Sequence, residues 1–151
     1  MTNRQAIRAL FLNRQFHYTP AEVAAVLGWD ESEMVEAIVN GDIEAYQEGD
    51  SLAISWEEVA AMATAKWPQA VIEAALGNET DSVIPELVRL SELRVRVPRY
   101  EIVMLTKLAQ RDGTTVDDYL ARHLLDLAAA EYDWLREVAP QIEQAVRWPE
   151  N

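Results

Sequence analysis

Four arginines, Arg89, Arg94, Arg96 and Arg99, fall within eleven residues of this chain, and the middle pair alternates with Leu93, Val95 and Val97 before Pro98. A guanidinium presents a rigid fork of donors that matches a guanine edge or a phosphate, at about 1 to 3 kcal/mol of base discrimination per good guanine pair. Other chemistries lack their parts. The chain has no Cys and only two His, His17 and His123, far apart in sequence. Both read as ordinary, partly buried helix residues rather than as a triad or metal cluster. Asp and Glu are plentiful, but nothing pairs them with a base, a nucleophile or a phosphate loop, so no enzyme, cofactor or metal site is expected.

Charge has to be divided along the chain before it says anything about partners. The net charge is -13 over 151 residues. Residues 22–87 hold fifteen acids against Lys66 alone, whereas residues 88–113 hold six bases against three acids. A globally basic nucleic-acid binder is excluded, while a local basic patch beside the alternating segment remains open. Half of the residues are hydrophobic, enough for one domain or two small modules. The absence of Cys fits a reducing compartment. No run approaches the ~18 apolar residues of a membrane span, and the first residues lack a signal-peptide core, so a cytoplasmic protein is the default.

The elements that must carry these residues are mostly helices, and the expected class is mainly α. Residues 1–66 form a first module: a helix from Met1 to about Phe16, a helix from Thr19-Pro20 to Gly28, and a helix with Met34, Val35, Ile38 and Val39 on one face. A small hairpin about Gly49-Asp50 and a Ser55-capped helix to about Ala65 follow. Residues 67–90 read as a helical connector, with a helix from Gln69 to Leu76 and a second from Asp81 to about Leu90. The order Tyr18-Thr-Pro-Ala-Glu-Val-Ala-Ala-Val-Leu-Gly, second helix, Gly41, hairpin and Ser-capped helix resembles the winged helix-turn-helix of excisionase and MerR-type DNA-binding domains. Its helix opposite DNA would carry Asp30, Glu31, Glu33 and Glu36, and its wing Asp42, Glu44, Glu48 and Asp50. That charge repels phosphates, so the resemblance implies the fold without the DNA binding. The acidic face is left either as a solvated surface or as a protein-docking one.

Residues 91–130 form the next module. Leu93, Val95 and Val97 alternate with Glu92, Arg94 and Arg96, Pro98 ends the strand, and a helix with Ile102, Leu105, Leu108 and Ala109 inward runs to a stop at Gly113. Thr114 or Thr115 caps a further helix, with Asp117 or Asp118 as its capping-box partner and Val116, Leu120, Leu124 and Leu127 inward. A lone short strand leaves its backbone groups unpaired and needs a neighbour, and a second copy is the nearest candidate. The segment Glu92 to Ala129 resembles the ribbon-helix-helix repressors, which include Arc and many bacterial antitoxins. That resemblance implies a homodimer whose two-stranded ribbon enters the major groove of double-stranded DNA. Carried over residue by residue, the DNA-contacting set is Glu92, Arg94, Arg96 and Arg99 with Thr114 and Thr115 at a helix start. The dimer core is Leu93, Val95, Val97, Ile102, Leu105, Leu120 and Leu124. Two alternatives stay open: a dimeric ribbon that only assembles the protein, and a strand that pairs with the chain's own hairpin.

Residues 131–151 read as an acidic helical tail studded with Trp134, Leu135, Ile142, Val146 and Trp148. Such a tail looks like the toxin-binding segment of antitoxins, and it equally suits packing on its own dimer. The function expected is an antitoxin-like, homodimeric transcriptional regulator with a toxin or other protein partner. The competing expectation is an acidic interaction or adaptor protein whose DNA-binding folds no longer bind DNA.

Overall fold

The computed structural model describes residues 1–149. It is mainly helical with one small antiparallel sheet, and it divides into two compact units: Met1–Leu90 together with the chain from Ala145 on, and Ser91–Gln144.

The first unit starts with α1 (Asn3–Leu12), which opens at a capping box between Thr2 and Gln5 and buries Ala6, Ile7, Leu10 and Phe11. It stops before Phe16, because Asn13 caps it and the chain then forms β1 (His17–Tyr18). A two-residue strand has no periodicity to read, and the sequence pattern missed it. Helix α2 (Pro20–Leu27) has the Thr19–Glu22 capping box and Pro at its first position, and ends at Gly28 with φ 64°. That left-handed conformation is one glycine adopts without a Cβ clash. Helix α3 (Glu31–Asn40) is capped by Asp30, whose carboxylate accepts from the Ser32 amide at 2.8 Å. Hydrogen bonds from the Ser32 hydroxyl and amide hold the Asp30 carboxyl below the usual range.

Strands β2 (Tyr46–Glu48) and β3 (Ser51–Ser55) form the expected hairpin, with Tyr46 opposite Ala53 and Glu48 opposite Ser51 across Gly49-Asp50. β1 pairs with the other side of β3, so the sheet order is β1-β3-β2. His17 therefore lies on a strand rather than a helix, 2.8 Å from Glu48 on the far strand. Ser55 caps α4 (Trp56–Lys66), and Pro68 precedes α5 (Gln69–Leu76).

The helix expected from Asp81 to Leu90 shrinks to α6 (Thr80–Val83), preceded by a 3-10 turn at Gly77–Glu79. Ile84 is extended at φ -101° and ψ 125°, as a residue before proline must be when the Pro85 ring blocks the helical region. One further turn forms from Pro85, whose carbonyl accepts from the Val88 and Arg89 amides.

These elements enclose one core in which Ile7, Leu10, Val23, Leu27, Met34, Ile54, Val59, Ile72, Leu76 and Ile84 are fully buried. The segment read as a connector thus supplies core residues. Arg8 ties α1 to the end of α5, donating to the Ala75 and Leu76 carbonyls and pairing with Glu79 at 2.8 Å. Its hydrogen bonds hold the Glu79 carboxyl below the usual range and raise Arg8 itself. Trp148 returns to this core, stacking on Phe11 at 6.1 Å between centroids.

In the second unit, α7 (Arg99–Arg111) follows Pro98 and α8 (Val116–Ala130) follows Gly113, which has φ 66°. The Asp118 amide donates to Thr115 Oγ1 at 3.1 Å, and that hydroxyl donates to Asp118 Oδ2 at 2.7 Å. Of the two capping pairs the sequence allows, this one forms. Helix α9 (Tyr132–Val138) completes the unit's own helices, and α10 (Gln141–Arg147) begins here and ends in the first unit. Helices α7 and α8 pack on each other, yet Ala109, 2% exposed, is the only fully buried apolar residue among the described residues of this unit.

Candidate nucleic-acid interface

The second unit includes a segment that has no strand partner among the described residues. Residues 91–98 belong to no helix and no strand ladder, and the sheet of the first unit is complete without them. The expected strand at Leu93–Val97 does not form in the single chain, because a ladder needs a neighbour and none is supplied. Its apolar residues stand in water: Leu93 is 71% exposed, Val95 68% and Val97 37%.

This segment flanks the first half of α8. Ser91, Glu92, Leu93, Arg94 and Val95 line one side of a groove of about 490 Å³, with Asp117, Leu120, Ala121 and Leu124 on the other. The remaining members of the expected dimer core share its exposure only in part. Ile102 and Leu124 are exposed, and Leu105 and Leu120 are half-buried. Tyr100, Val103, Met104 and Leu125 are also exposed and lie off the inward stripe that periodicity picked out. Their signal in the sequence was weak, since each falls on a helix face that spacing alone assigns to solvent.

The charges are arranged unevenly. Glu92 bonds Arg94 at 2.9 Å in an exposed pair, so one expected base-reading group is engaged by its own neighbour. Exposed pairs of this kind hold weakly in water. Arg96 and Arg99 are exposed and meet no carboxylate among the described residues. At the start of α8, the Thr115 hydroxyl is committed to Asp118. The positive end of the helix also carries Asp117 and Asp118 in its first turn, and these carboxylates oppose an anion there. Thr114 is half-buried, and its amide donates to the Ala109 carbonyl. At the other end of α7, Arg111 pairs with Asp112 at 2.8 Å, and that hydrogen bond holds the Asp112 carboxyl below its usual range.

The tail residues separate. Trp134 and Val146 are exposed, and Leu135 and Ile142 are half-buried, whereas Trp148 packs on Phe11 in the first unit. His123 sits on α8 with its ring 4.4 Å from that of Tyr119, in a different unit from His17. Among the described residues no group of His, Asp and Glu side chains is placed to hold a metal ion, and no helix is long and apolar enough to cross a membrane. No family model, no curated protein and no solved structure matches the chain.

Proposed function

We propose that this chain is a homodimeric, antitoxin-like transcriptional regulator that reads operator DNA through a two-stranded ribbon formed by Leu93–Val97 of two copies. One observation carries the reading: the second unit leaves an alternating Arg and aliphatic segment without a ladder partner on a body with a single fully buried apolar residue. A unit of that kind gains its core by association, since burial of apolar area is the main term favouring the folded state. In the ribbon-helix-helix arrangement, a second copy pairs the strands antiparallel and covers Leu93, Val95 and Val97. Arg94 and Arg96 then face outward twice by symmetry, with Arg99 nearby and the start of α8 over the phosphate backbone.

The winged helix-turn-helix reading of the first unit is supported by its order of two capped helices, hairpin and further helix. Its acids repel phosphates, and in this reading they face a protein partner rather than DNA. The experiment is binding to duplex DNA from the protein's own promoter. Arg94→Ala/Arg96→Ala abolishes specific binding while the dimer persists; unchanged binding refutes the assignment.

A second reading is favoured by the Glu92–Arg94 pair and by the carboxylates of Asp117 and Asp118. In it the protein is an acidic adaptor whose ribbon only assembles the dimer. Salt-dependent, sequence-selective binding to duplex DNA eliminates that reading.

A further inference from the structure

The first unit carries a second surface with its own chemistry. Most of its cations are committed elsewhere: Arg8 pairs with Glu79 and Arg14 with Glu57, both at 2.8 Å, Arg89 pairs with Asp81, and Lys66 donates to the Leu27 carbonyl. On α3, by contrast, Glu31, Glu33 and Glu36 meet no cation among the described residues. Glu31 and Glu33 suit the positive end of α3, but Glu36 sits mid-helix, where the dipole gives it no support. Beside these carboxylates runs an apolar stripe. Val35 and Val39, one turn apart, are 39% and 78% exposed, and Ile38 next to them is half-buried, whereas Met34 is fully buried in the core.

We infer that this face of α3 docks a basic amphipathic helix of a partner protein, its aliphatic side on Val35, Ile38 and Val39 and its Lys or Arg side chains against Glu31 and Glu36. The inference deepens the protein-partner half of the proposed function and rests on that reading. Charge complementarity selects the occupant. The unpaired carboxylates repel phosphates and attract a cation-flanked apolar face, which also removes the valines from water. The spacing selects a helix: residues at i, i+3 and i+4 form a ridge that fits the groove of another helix. An added strand has little to pair with, because the outer strands of the sheet, β1 and β2, are only two and three residues long.

The test uses the full chain and, as probe, a synthetic amphipathic helix of Leu and Lys, with a Leu and Glu peptide as control. Calorimetry at ~0.15 M salt gives the affinity, and amide chemical shifts locate the site. The Lys peptide binds at α3 and the Glu peptide does not. Val35→Ser/Val39→Ser weakens binding at least about tenfold, or about 1.4 kcal/mol, with net charge unchanged. Glu31→Gln/Glu36→Gln weakens it and flattens its salt dependence. Binding that ignores the valine substitutions, or that shifts amides outside α3, overturns the inference. Operator binding is measured on the same variants. Retained operator binding with no α3 site sinks this inference alone, whereas an α3 site without operator binding sinks the regulator reading alone.

Discussion

Leu93→Ala/Val95→Ala gives the sharpest test of the ribbon. In the single chain these side chains are 71% and 68% exposed, so most of their surface is still available to be covered by a second copy. The double substitution removes five carbons per protomer, about ten per dimer, each worth about 0.8 kcal/mol when fully transferred from water. With roughly two thirds of that transfer occurring at association, the dimer weakens by about 5 kcal/mol, more than a thousandfold in Kd. Sedimentation equilibrium across a concentration series reads this directly. Circular dichroism of the first unit's helices stays unchanged, since neither residue belongs to its core. A wild-type chain that stays monomeric at high micromolar concentration refutes the reasoning, as does a variant dimer of unaltered strength.

Two perturbations probe stability. Trp148→Ala removes the stack on Phe11 and, for a half-buried indole, lowers the stability of that unit by about 2 kcal/mol; a denaturant midpoint within the ±0.5 kcal/mol of an ordinary surface change shows that the C-terminal residues do not belong to it. Acid acts through Glu79, Asp30 and Asp112, whose carboxyls are held below the usual range by hydrogen bonds from Arg8, Ser32 and Arg111 respectively. A depressed folded value contributes stability that is full above the ordinary carboxylate range, near pH 4, and is lost as pH falls through the folded value. Melting temperature against pH therefore declines below about pH 4, and Glu79→Gln makes that decline shallower. An identical profile in the variant shows that the Arg8 pair is not its source.

The helices of the first unit were legible because each carries its own punctuation. Thr19-Pro20 and Gly28 bracket α2, Ser55 opens α4, and the Gly49-Asp50 pair sits between short strands. What escaped was decided outside the local sequence. β1 exists because β3 offers a free edge to His17 and Tyr18, and the helix past Asp81 fails because Pro85 acts backward on Ile84. Trp148 looked like a partner contact because its apolar surface suits either role, and only the three-dimensional position of Phe11 distinguishes them. The arginine segment was visible by alternation alone, but Glu92's grip on Arg94 depends on side-chain geometry that spacing does not specify. Spacing puts Val35 and Val39 on one helical face with Met34, and the structure divides that face between core and solvent.

A net charge of -13 per chain sets the long-range field of the proposed dimer against its own arginines. Local contacts between guanidinium groups and phosphates release counterions and make binding fall with salt, whereas repulsion between the acidic units and DNA is itself screened by salt and makes binding rise. The two slopes partly cancel. The salt dependence of operator binding is consequently shallower than about four ribbon arginines acting alone imply, by the usual slope of ~0.9 per phosphate neutralised. Covering α3 with a basic helix removes part of the repulsion, so such a partner tightens operator binding, and operator DNA tightens partner binding by the same factor. Operator titrations over a salt series, with and without the Lys peptide, measure both effects. A steep salt slope in the free protein that the peptide leaves unaltered shows that the acidic unit is too remote from the ribbon to act on DNA, and it separates the two halves of the proposal.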